Sequence, residues 1–173
     1  MKPTRLLFSA LLFGTATVVL SCRQPEPTAP ELQIPALQAS AVYSATGLVQ
    51  CRPLAYDSVS RTIGAKGGTI RVSKHVLVIP DRALSEAVRI TVVAPSDTVN
   101  RIEFQPEGLV FQLPASLTMS YANCNIGPSA RHKEIAYTND SLAILEYVPS
   151  LDDPSKRKVT GQLSHFSWYA ISW

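Results

Sequence analysis

From residue 46 onward, short apolar runs alternate with polar breaks. Val, Ile, Thr and aromatic residues cluster in brief stretches, and Gly, Pro, Asn and Asp separate them. That is the pattern of β-strands joined by tight turns. It predicts strands at 58–63, 69–72, 76–79, 88–93, 101–104, 116–122, 134–138, 143–148 and 158–162, the last running on through 163–172. Leu117, Met119 and Tyr121 alternate with Thr118 and Ser120, which puts one face of that strand in a core and the other in water. Gly64, Gly67 and Gly68 mark one turn, and Pro106-Glu107-Gly108 marks another. Residues 81–87 allow a single helical turn, and no stretch after Cys22 sustains an amphipathic helix. The expected fold is all-β, an antiparallel β-sandwich of about 8–10 short strands. An outer-membrane barrel fits less well, because it needs strands of about ten residues with an apolar outer band.

The first residues follow a different rule. Lys2 and Arg5 precede an apolar run from Leu6 to Leu20 that ends at Val19-Leu20-Ser21-Cys22. A charged start and an apolar stretch shorter than the ~20 residues of a spanning helix describe a signal peptide. Val-Leu-Ser-Cys resembles a lipobox, which implies cleavage before Cys22 and acylation of its thiol and new amine. The organisation expected is a signal helix over 1–21, a lipidated Cys22 with a Pro-rich linker over 22–45, and a β domain over 46–173. Pro25, Pro27, Pro30 and Pro35, with no Gly among them, make the linker a semi-extended spacer. About 20 such residues reach some 60 Å at a rise of ~3.1 Å. Leu32, Ile34 and Leu37 form an apolar patch within it. By analogy with enteric lipoproteins, Arg23 rather than Asp after the Cys favours the outer membrane. The membrane partner is then reached through the N-terminal lipid.

Removing the signal takes Lys2 and Arg5 with it and lowers the formal net charge from +3 to +1. Charges of both signs are interspersed, and Lys156-Arg157-Lys158 reads as a solvated turn, so nothing points to nucleic acid. The chain has 3 cysteines. With Cys22 lipidated, Cys51 and Cys124 remain as a pair in an oxidising compartment, where a disulfide would persist. Two separately buried thiols are the alternative. His75 and His132 show no ligand spacing, so no metal or cofactor is expected.

Taken in order, several pieces resemble the ZU-five domain, named for zonula occludens proteins and Unc-five-type netrin receptors and found also in ankyrins and the death-domain protein PIDD. They are Gly67-Gly68-Thr69-Ile70, Val76-Leu77-Val78-Ile79-Pro80 with Ala83-Leu84, and Val88-Arg89-Ile90-Thr91-Val92. The stretch from Phe104 to Pro114 and His165-Phe166-Ser167-Trp168-Tyr169 complete the series. Asp81-Arg82 stands where that family usually has Pro-Gly. The resemblance implies a β-sandwich used for protein contact. It carries no partner with it, and roles that need the further modules of signalling relatives are not implied.

The resemblance also implies one chemistry. In some ZU-five domains a His-Phe-Ser sequence is cut between Phe and Ser, and His165-Phe166-Ser167 matches it. The Ser167 hydroxyl would attack the Phe166 carbonyl carbon, turning the peptide into an ester that water hydrolyses. His165 would move the proton. In a regular strand the two Cα atoms lie about 6.6 Å apart, so a bulge or twisted peptide is required. Alternation places Leu163, His165, Ser167, Tyr169, Ile171 and Trp173 on one face and Phe166, Trp168 and Ala170 on the other, which also reads as plain core packing. No Gly-rich phosphate loop, nucleophile elbow or His-Glu metal helix is present. The leading expectation is a non-enzymatic binding or structural module in the cell envelope with a protein partner. Self-processing and a glycan- or wall-binding sandwich are the alternatives.

Overall fold

A computed structural model describes residues 47–127 and 131–173. The described residues belong to one compact unit. The expected signal helix, Cys22 and the spacer lie outside the described residues.

Among the described residues the chain forms eleven strands and no helix. They are β1 (Asp57–Ile63), β2 (Gly68–Val72), β3 (His75–Ile79), β4 (Val88–Ala94), β5 (Arg101–Gln105) and β6 (Val110–Ser120). They continue as β7 (Glu134–Thr138), β8 (Ile144–Val148), β9 (Ser150–Asp153), β10 (Lys158–His165) and β11 (Trp168–Ser172). One sheet runs β1-β4-β5-β11-β7-β8 and the other β2-β3-β6-β10-β9. Every pairing is antiparallel. The all-β, two-sheet architecture is the one the apolar pattern predicts.

The core lies between the inward faces of the sheets. Ile70, Leu77, Ile90, Ile102, Phe104, Leu117, Met119, Ile135, Phe166 and Tyr169 are all fully buried there. Leu117, Met119 and Tyr121 point inward as their alternation requires. Ser120 is buried too, because two polar side chains satisfy its backbone. Its N–H donates to His75 Nδ1 at 3.3 Å, and its carbonyl accepts from Asn100 Nδ2 at 2.8 Å.

Four features differ from the pattern. First, the long C-terminal run is two strands, since β10 belongs to the five-stranded sheet and β11 to the six-stranded one. Second, β6 begins at Val110, well before residue 116. Its register against β10 jumps between Leu163–Ala115 and His165–Val110, so Pro114 sits where the ladder is interrupted and needs no donor. Third, β9 is nearly devoid of apolar residues and reads in sequence as a turn. Fourth, residues 81–87 form a loop rather than a helical turn. Arg82 takes φ 63° there, and Ala83 and Leu84 plug the core between the sheet ends. Distant backbone holds this loop, with Arg82 N–H on Ala65 O at 2.6 Å and Gln112 N–H on Ala83 O at 2.9 Å.

Candidate functional site

The Phe166–Ser167 peptide is where the chain passes from one sheet to the other. Backbone from β5 and the β5–β6 connection fixes the passage. Phe166 N–H donates to Leu109 O at 2.8 Å, Gly108 N–H donates to Phe166 O at 2.9 Å, and Phe104 N–H donates to Ser167 O at 3.1 Å. The Phe166 ring stacks on Phe104 (centroids 4.6 Å, planes 8° apart) and meets Phe111 edge-on at 4.9 Å. Both Phe166 and Ser167 are buried.

This geometry supplies the break in strand regularity that self-cleavage requires. It also places the motif's atoms. His165 Nδ1 lies 3.4 Å from Phe166 O, so in the Nδ1–H tautomer it points a second donor at the oxygen already held by Gly108. Two donors on a carbonyl oxygen polarise it and suit an oxyanion. No hydrogen bond joins His165 to the Ser167 hydroxyl among the described residues. The imidazole is therefore set on the carbonyl side of the peptide rather than on the nucleophile. Aromatic residues surround it, with Tyr137 edge-on at 5.2 Å, while the Tyr169 hydroxyl donates to His165 O at 2.8 Å. Burial, followed by the charges of Tyr137 and Glu146, pushes the Tyr169 hydroxyl above its ordinary pKa. Tyr169 is thus a fixed donor. Trp168 faces away from this cluster, beneath the Arg101 guanidinium at 5.2 Å.

At the other end of the sandwich Cys51 and Cys124 are bonded to each other, with S–S 2.04 Å. They face one another as an isolated antiparallel bridge. Arg52 N–H donates to Asn123 O and Asn125 N–H to Gln50 O on either side. The disulfide ties the segment entering the fold to the β6–β7 connection.

A polar cluster beside it carries no sequence signal. Lys133 lies in Arg131-His132-Lys133 and is buried. Its ammonium lies 4.3 Å from the Trp173 ring and 5.8 Å from the Tyr121 ring, and donates to Arg131 O. Burial lowers its pKa, against the opposing pull of Asp152. The Asp152 carboxylate accepts from Tyr121 Oη at 2.7 Å and Lys133 N–H at 3.0 Å. The cluster locks the ends of β6, β7, β9 and β11 together. No His, Cys, Asp and Glu grouping suited to a metal occurs among the described residues. His75 is a core residue, and His132 is an exposed neighbour of Asp152 at 4.0 Å.

No known family model matches this chain, and no curated protein matches it.

Proposed function

We propose that this chain is exported, attached to the envelope membrane through lipidated Cys22, and displays its β-sandwich as a non-enzymatic binding or structural module for an envelope protein. One observation carries the reading. Two of the three cysteines are bonded to each other, which leaves Cys22, at the end of the apolar run, as the one available for acylation. A disulfide of this kind also fits a chain that matures in an oxidising compartment. The ZU-five-like order of strands belongs to the same proposal. Labelled palmitate should enter the protein, and Cys22→Ala should abolish both the label and membrane association. A variant that stays equally membrane-bound would overturn the tether.

A second reading has its own support. The Phe166 carbonyl receives Gly108 N–H and faces His165 Nδ1, an arrangement that favours attack by Ser167 on that carbon. Intact mass decides it. Release of the fragment from Ser167 to Trp173, abolished by Ser167→Ala, establishes self-processing. A purified chain that stays whole on long incubation rejects it.

A further inference from the structure

A cleft of about 400 Å³ opens beside the disulfide, at the end of the sandwich opposite His165. Its volume lies in the range of small-molecule sites, roughly 300–1,000 Å³. Arg52 and Arg157 line it with Gln50, Asn123 and Asn125, over a floor formed by the Cys51–Cys124 bond. No acidic side chain is among the lining residues.

The floor is rigid. Asn123 Nδ2 donates to Arg52 O at 2.7 Å and to Asn100 Oδ1 at 3.0 Å, while its Oδ1 accepts from Asn100 Nδ2 at 2.9 Å. Asn100 is itself buried and also donates to Ser120 O. Arg157 is positioned by its turn, where φ is 51°, its carbonyl accepts Tyr121 N–H at 2.9 Å, and its Nη1 donates to Ala122 O at 3.3 Å. That bond uses one of five guanidinium donors. Arg52 is exposed and makes no salt bridge among the described residues. Gln50 Nε2 is buried in the wall with no hydrogen-bond partner.

The uncommitted groups are therefore nearly all donors, and two of them are permanent cations. Planar guanidinium groups match carboxylate and phosphate oxygens in a bidentate way. The Asn125 carboxamide suits hydroxyl groups on whatever carries the anion. We infer that this cleft binds an oxyanion, carboxylate or phosphate, borne on a polar ligand of saccharide size. The inference rests on reading the domain as a binding module and adds a small-ligand site to the protein contact proposed above.

Calorimetric titration of the full mature chain at physiological ionic strength tests it, with trigalacturonate, inorganic phosphate and neutral maltotriose as probes. Saturable binding of trigalacturonate or phosphate, with none of maltotriose, is expected. Binding of the uronate alone assigns a carboxylated saccharide, and binding of both anions assigns the shared oxyanion chemistry. Arg52→Ala and Arg157→Asn, the latter chosen because Asn tolerates positive φ, should each weaken binding about tenfold or more. The double variant Arg61→Ala/Arg71→Ala removes twice the charge of either single variant, around a separate cleft lined by Val59 and Thr69. It should leave binding unchanged. Absence of binding by either anion, equal binding of maltotriose, or equal weakening by the Arg61/Arg71 variant overturns the assignment. Palmitate labelling of the same preparation keeps the two ideas apart. A labelled chain that binds no anion loses only the cleft, and an unlabelled chain that binds loses only the tether.

Discussion

A histidine inside an apolar sheet is tolerated while it stays uncharged. His75 is 2% exposed and uses Nδ1 to accept the Ser120 N–H. Burial first, and the Lys74 charge second, push its pKa down to about 4. In the unfolded chain it returns to about 6.5. The unfolded state thus binds more protons between those values. The stabilisation is complete above pH 6.5, falls as the pH drops through that window, and is gone below about 4. The total loss is about 3 kcal/mol. Urea unfolding across that range should show it, and His75→Gln, which keeps an acceptor, should flatten the slope. Equal slopes for the two proteins would remove His75 as the cause. Gly67 is constrained in a different way. Its φ is 65°, and a Cβ there would lie 2.2 Å from Ile79 O and 2.6 Å from Pro80 backbone. Gly67→Ala should cost about 2 kcal/mol or more by the same measurement, through backbone strain as well as collision.

At the level of elements, the crossing between β10 and β11 separates a packing role from the proposed self-cleavage. Phe166 is fully buried among Phe104 and Phe111. Phe166→Ala should therefore destabilise the fold by about 3–5 kcal/mol. Ser167→Ala removes one hydroxyl and leaves the backbone bonds of the passage intact, so thermal denaturation should show a change of about 1 kcal/mol or less. A large loss from Ser167→Ala would give that hydroxyl a structural duty. The same crossing shows what can be read in advance. Short apolar runs between turn residues locate β1 to β5, β7 and β8 to within a residue or so, because Gly, Pro, Asn and Asp fall where the chain reverses. The rule fails at 163–172, where an unbroken run implies one continuous strand. The chain changes sheets without a Gly or Pro to announce it, held by Gly108, Leu109 and Phe104, which are far away in sequence. β9 is hidden for a related reason. Ser150 to Asp153 pair with β10 through their backbone, and Asp152 finds its partners in Tyr121 and Lys133. The His-Phe-Ser motif is visible as letters, but the side of the peptide on which His165 sits depends on that unannounced crossing.

For the molecule as a whole, the disulfide is the one covalent link across the fold that can be inferred by counting. It closes a loop of 73 positions, running from the entering segment to the β6–β7 connection. In the chain-entropy account, a loop that long restricts the unfolded chain enough to favour folding by about 4 kcal/mol. That is a large share of the roughly 5–15 kcal/mol that holds a typical domain. Replacing both cysteines, as Cys51→Ala/Cys124→Ala, should lower the melting temperature by about 10–20 °C. Two mechanisms would differ in where the loss is felt. If the link acts on the unfolded chain, exchange through global opening speeds up everywhere, including amides in the centre of β6 and β10. If it acts only by pinning the entering segment, exchange should quicken at Arg52 and Asn125, whose bonds flank the disulfide, and stay slow in the centre. The entering segment has other anchors. Leu48 and Val49 are buried, Val49 N–H donates to Ile171 O at 2.9 Å, and Trp173 N–H donates to Gly47 O at 3.0 Å. With those contacts intact the segment stays in place, so the global response is the expected one. Hydrogen exchange of the double variant confined to Arg52 and Asn125, with an unchanged melting temperature, would assign the disulfide a local duty instead.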